Sequence, residues 1–223
     1  MRTVIFDLDG TLADTSADLI AAANACFRDM GALPQLDPVA DASTAFHGGR
    51  AMLRLGLGRL GMAEPAAEAE VDRWYLPLLR HYEAAIDTHT RLYPGAMAAV
   101  EALRDDGFAV GICTNKPAAL AEILLTRLGV RDAFGSLVGA DTLPVRKPDP
   151  APFHAAVERA GGNSARALLI GDTATDRETA RAARVPCVLV TFGPDGQGVA
   201  TLAPEALLDR YEDLPGLVVG LLG

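Results

Sequence analysis

Thr3-Val4-Ile5-Phe6-Asp7-Leu8-Asp9-Gly10-Thr11 is the stretch from which the rest of the chain can be read. Its first four residues form a short apolar run rich in β-branched side chains, the pattern of a buried strand. Two carboxylates follow at a spacing of two, and alternate side chains on a strand share a side, so Asp7 and Asp9 project together at its C-terminal end. Close carboxylates repel, and a cation or a shared proton must settle them. Asp-Gly is also a turn signal. A turn accounts for Asp9-Gly10 but leaves Asp7, directly after the apolar run, without a reason.

Downstream, apolar strand-like runs alternate with helical patterns. Strands are expected at 108–113, 134–138, 167–170 and 186–190, and helices at 96–103, 117–128, 149–160 and 173–183. Asp149 is the expected cap of the third of these helices. This alternation implies an α/β fold with a doubly wound parallel sheet. One block departs from it: between Thr15 and His89 no strand-like alternation appears. Helical patterns there run at 18–27, with Ser16 as cap, at 49–60 and at 64–85. The block is long enough for a small all-helical subdomain. The division expected is 1–14 plus 91–223 for the α/β core and 15–90 for the insert.

The 223 residues carry a net charge of −9, which disfavours nucleic acid and anionic membrane as partners, while small anionic substrates remain open to a few focused cations. Cys26, Cys113 and Cys187 are odd in number and widely spaced, arguing against a disulfide framework or a zinc site and for a reducing cytoplasm. No leader or long apolar span is visible. The expectation is a cytoplasmic protein, monomeric or homodimeric.

Three expected strands are each followed at once by reactive polar residues: Asp7 and Asp9, then Thr114, Asn115 and Lys116, then Asp172 and Asp176. In open parallel sheets ligands bind beyond the carboxyl ends of the strands, so one shared site is expected. Asp7, Asp172 and an oxygen at the Asp9 position are hard ligands suited to Mg²⁺. Thr114, Asn115, Lys147 and backbone N–H groups at Gly10 can meet phosphate oxygens.

Four segments together resemble the haloacid-dehalogenase-like hydrolase superfamily: Asp7-Leu8-Asp9-Gly10-Thr11-Leu12, Thr114-Asn115, Lys147-Pro148-Asp149-Pro150 and Gly171-Asp172-Thr173-Ala174-Thr175-Asp176. The resemblance implies a Rossmann-like core with an α-helical cap inserted near Thr15. It also implies a Mg²⁺-dependent phosphatase for a small phosphate ester. Asp7 would be the nucleophile, Asp9 the acid and base, and Lys147 the charge-balancing cation. Asp172 would bind the metal, and Asp176 would bind it directly or through water. Asp14 to Leu19, His47-Gly48-Gly49-Arg50 and Tyr93-Pro94-Gly95 are most similar to phosphoglycolate phosphatases, with His47 and Arg50 as candidate specificity residues. Among rivals, a dehalogenase needs no acid/base at the Asp9 position. A sugar phosphomutase retains Asp9, yet such enzymes often carry a His in the following helix, and Asp18 to Asn24 has none. A phospho-acceptor signalling domain would lack the helical insert. Arg184 stands where relatives place glycine, and since a left-handed cap is costly for arginine, the helix before it is expected to end differently.

Overall fold

A computed structural model describes residues 1–223 and divides them into two compact units, 1–14 with 92–223 and 15–91. The first is built on six parallel strands: Thr3–Phe6 (β1), Ala109–Cys113 (β4), Ser136–Val138 (β5), Ala167–Gly171 (β6), Cys187–Val190 (β7) and Ala206–Leu208 (β8). Ala13–Asp14 (β2) and Arg91–Leu92 (β3) form a separate two-stranded ribbon. The six strands lie in the order β5-β4-β1-β6-β7-β8. The chain thus winds outward on one side of β1 and then returns to wind outward on the other, which puts the switch in direction at β1.

Successive residues of the inner strands are all buried, as a parallel sheet covered on both faces requires. Ile5, Cys113, Phe153, Val157, Leu169 and Leu189 belong to one cluster, while Val4, Phe6, Ile112 and Ile170, which alternate with strand members of that cluster, are equally buried. The covering helices are Ala96–Asp105 (α5), Ala118–Arg127 (α6), Ala151–Arg159 (α7), Ala174–Ala183 (α8) and Leu214–Leu222 (α9).

The second unit is all-helical: Ser16–Asp29 (α1), Ala42–Phe46 (α2), Gly49–Arg59 (α3) and Ala66–Ala84 (α4). Its core gathers Ile20, Ala23, Phe27, Leu53, Leu57, Val71 and Leu78, with Trp74 and Tyr75 packed partly buried against it. Asp18 is buried and accepts from the backbone N–H groups of His89 and Thr90 and from the Thr90 hydroxyl, fastening the end of this unit to its first helix.

Three helix ends differ from expectation. Thr15, not Ser16, is the N-cap residue of α1, and no side chain caps it. Pro150 takes the N-cap of α7, while Asp149 accepts from Ala151 N–H one step earlier. Arg184 adopts the left-handed conformation after all, with φ 59° and ψ 44°, as the C-cap of α8. Its N–H bonds the Arg181 carbonyl, and the buried Val185 N–H bonds the Ala180 carbonyl. Closure of the helix by these bonds and burial of Val185 outweigh the local strain on arginine. The ribbon β2–β3, strand β8, helix α2 and the final helix α9 were not read from the sequence, being short or lacking a clear period.

Candidate active site

The register of β1 with its neighbours creates the site. Phe6 pairs with Ile112 on one side and with Ile170 on the other, so Asp7, Thr114 and Asp172 leave the sheet at nearly one level. The ladder continues one residue further, with Asp7 N–H donating to the Ile170 carbonyl at 2.8 Å. Beyond it the chain turns at Gly10, whose φ of 80° suits glycine, and whose N–H bonds the Ala13 carbonyl at 2.9 Å.

Asp7, Asp172 and Asp176 converge, each offering an oxygen within 4.8 Å of the others, and all three are buried. Lys147 is buried among them, its Nζ 2.6 Å from Asp176 Oδ1 and 3.0 Å from Asp7 Oδ1. Burial pushes the Asp7 carboxyl up to about 6, against the pull of Lys147, with Asp176 and Asp9 adding repulsion. Burial likewise raises Asp172 well above the ordinary range, helped by Asp176 and Asp7 and opposed by the Thr11 hydroxyl. For Lys147, burial acts against the charge, but Asp176 and Asp7 outweigh it and its pKa rises.

Three carboxylates thus face one ammonium, an arrangement short of positive charge. Two buried oxygens, Asp7 Oδ1 and Asp172 Oδ2, receive no aligned hydrogen bond, the Lys147 approach to the first being an ion pair only. Unsatisfied, all-oxygen and anionic, this donor set fits a small hard divalent cation of the Mg²⁺ type.

A surrounding layer fixes these groups. Thr11 Oγ1 donates to Asp172 Oδ1 at 2.8 Å, and Tyr211 in turn donates its hydroxyl to the Thr11 carbonyl at 2.7 Å. Asp176 caps its own helix: Oδ2 accepts from Thr173 Oγ1 at 2.7 Å and from the Thr173 and Asp172 N–H groups. With Oδ1 on Lys147, both of its oxygens are engaged. Gly171 permits this fold-back, since a Cβ there would stand 2.3 Å from Asp176 Cγ. Asn115 donates its side-chain amide to the Lys147 carbonyl at 3.0 Å, so its side chain holds the lysine's loop. Thr114 Oγ1 accepts from Lys116 N–H at 3.1 Å.

Lys116, to which sequence reading assigned no role, is nearly buried and places Nζ 2.7 Å from Asp9 Oδ1. Its place directly after Thr114-Asn115, at a strand end, was the only signal available. The roles of Thr11 and Tyr211 toward Asp172 were missed too, since 161 and 200 residues separate the bonded partners. His47 and Arg50 lie in the helical unit. His47 Nδ1 is 2.9 Å from the Ser43 carbonyl oxygen; Arg50 pairs with Asp72 at 2.6 Å and lies over the Tyr75 ring. Arg50 therefore already has a carboxylate and an aromatic partner within its own unit.

The chain belongs to the haloacid dehalogenase-like hydrolase family, whose model matches residues 1–184. It is a phosphatase of that family, similar along most of its length to curated phosphoglycolate phosphatases. The Rhodospirillum rubrum enzyme is 38% identical over 219 residues, covering 96% of this chain and 89% of that one. The Cereibacter sphaeroides enzyme is 36% identical over 225 residues, the full length of both. Among solved structures, a predicted phosphoglycolate phosphatase from Haemophilus somnus superposes with a TM-score of 0.83 at 25% identity, covering 97% of each chain. No helix is long and apolar enough to cross a membrane.

Proposed function

We propose that this phosphatase hydrolyses a small phosphorylated metabolite of the cytoplasm through an aspartyl-phosphate on Asp7, with phosphoglycolate the first substrate to test. The observation that carries this is the buried cluster of Asp7, Asp172 and Asp176 around Lys147, with Asp9 two residues past the first of them. Asp7 and Asp172, with an oxygen at the Asp9 position, would hold Mg²⁺, which when bound neutralises the carboxylates and the charge of the transferring phosphoryl group.

In the first half-reaction an Asp7 oxygen bonds to phosphorus as the ester P–O bond breaks, and Asp9 gives its proton to the departing oxygen. In the second, Asp9 takes a proton from water as that water's oxygen bonds to phosphorus. The acyl-phosphate bond breaks, and Asp7 returns as a carboxylate with inorganic phosphate released. Lys147 holds Asp7 and the phosphoryl oxygens throughout, and the Thr114 hydroxyl is the further donor toward them, while the Gly10 N–H, expected to share this role, is taken by the Ala13 carbonyl. Asp176 acts through Lys147 and the start of α8, consistent with both of its oxygens being engaged. The helical unit is read as the cap that selects substrate, and His47 and Arg50 are the first of its residues to vary.

Purified protein with Mg²⁺ is expected to release phosphate from p-nitrophenyl phosphate and from one or more members of a metabolite panel that includes phosphoglycolate. Asp7→Asn is expected to abolish turnover with the circular dichroism spectrum intact. Silence of the unmodified enzyme across the panel would sink the reading, and activity in the variant would place the nucleophile elsewhere.

A further inference from the structure

Lys116 sets its ammonium against Asp9, and its surroundings are built to hold it there. The turn after β4 keeps Lys116 N–H on Thr114 Oγ1, and the Lys116 carbonyl accepts from Ala140 N–H at 2.9 Å. Asp141 Oδ1 accepts from Ala118 N–H at 2.8 Å, and Thr142 Oγ1 from Gly139 N–H at 2.9 Å. The segment after β5 therefore buttresses the lysine's backbone from below. Gly139 makes this close approach possible, since a Cβ there would stand 2.5 Å from Ala118 N and 2.8 Å from the Lys116 carbonyl oxygen. Only 4% of the lysine side chain is exposed, against 16% for Asp9, so the pair is held in a fixed geometry that exposed ion pairs lack.

We propose that Lys116 is a positioning residue for Asp9: its ammonium pins Oδ1 and thereby fixes the direction in which the carboxylate faces. Without the pin, a carboxylate on a turn samples other rotamers, and the proton is no longer delivered along the line of the breaking bond. Small displacements of this kind cost on the order of 10²-fold in rate. The inference rests on Asp9 as the proton donor, the reading argued above.

The signature of lost proton delivery is dependence on the leaving group. An alkoxide needs the proton as the P–O bond breaks, whereas p-nitrophenolate leaves without it. Lys116→Met is expected to lower kcat/KM, which reports the steps through leaving-group departure and not the later water attack, by on the order of 10²-fold on phosphoglycolate or whichever alkyl phosphate the panel identifies. On p-nitrophenyl phosphate kcat/KM should fall by no more than about threefold. Asp9→Asn should show the same selectivity more strongly. A crystal structure of Lys116→Met should show the Asp9 carboxylate rotated away, a readout independent of turnover. Should Lys116→Met fail to fold, Lys116→Gln, which keeps a donor, is measured in its place, with a smaller loss of the same selectivity expected.

Equal losses on both substrates, no loss on either, or an Asp9 carboxylate unmoved in the variant crystal would each overturn the assignment. If Asp9→Asn itself loses both substrates equally, the acid role of Asp9 fails, while the crystal structure still decides whether Lys116 positions it.

Discussion

Arg184 holds α8 closed in a conformation that costs a residue with a Cβ about 1–2 kcal/mol relative to the right-handed region. The Arg184 guanidinium forms no ion pair, whereas the backbone bonds of the cap need only the conformation itself. Arg184→Gly removes the steric cost but adds freedom to the unfolded chain, and these partly offset. A net stabilisation of about 0.5–1 kcal/mol is expected from urea unfolding. A destabilised variant would show that arginine contributes packing beyond the cap. The three thiols illustrate the opposite case, residues whose setting suits their chemistry. All are buried and free, and burial raises Cys26 to about 11 and Cys113 to about 12, keeping them neutral and inert.

Past its first residue, helix α3 carries two glycines, Gly56 and Gly58, that look alike in sequence and differ in space. A Cβ on Gly56 would stand 2.0 Å from Phe27 Cζ, so the glycine admits the ring and lets α1 and α3 close on each other, whereas Gly58 faces open space. Alanine is the better helix former by about 1 kcal/mol at either site. At Gly56, overpacking of about 1–3 kcal/mol exceeds that gain, because the buried ring has nowhere to go. Gly56→Ala is therefore expected to lower the denaturation midpoint and Gly58→Ala to raise it. Parallel changes in the two variants would refute the steric account. Periodicity alone marks both positions as helical and cannot separate them, since what distinguishes them is a side chain 29 residues earlier.

The whole molecule responds to the charge imbalance at its strand ends. In the metal-free protein the Asp7 carboxyl is raised to about 6, so its contribution to stability is present at low pH and is lost as pH rises through that value. A divalent cation requires the deprotonated form, and Mg²⁺ binding should therefore tighten and release protons between pH 5 and pH 7. Saturating Mg²⁺ is expected to raise Tm more at pH 7 than at pH 5, by about 2.7 kcal/mol in stability at one hundred times Kd. Asp172→Asn should blunt the rise. A Tm indifferent to Mg²⁺ at both pH values would remove the cation from this site.

Alternation of apolar runs with helical periods was enough to read a parallel α/β sheet interrupted by a helical segment. Polar residues set directly after the runs placed Asp7, Thr114 and Asp172 at the ends of adjoining strands, because strand ends and their first following residues are local features of the chain. Lys147 came from its motif, since a lysine before Pro-Asp-Pro would otherwise read as a solvated loop charge. Which partner each side chain finds was decided only by tertiary structure. Register brings Asp172 onto Thr11, the buttress beyond β5 sets Lys116 on Asp9, and Asp18 reaches Thr90 across 72 residues. The reason is physical: strand and helix propensities act over a few neighbouring residues, whereas a buried charge is fixed by whichever distant group the packing brings within about 3 Å of it.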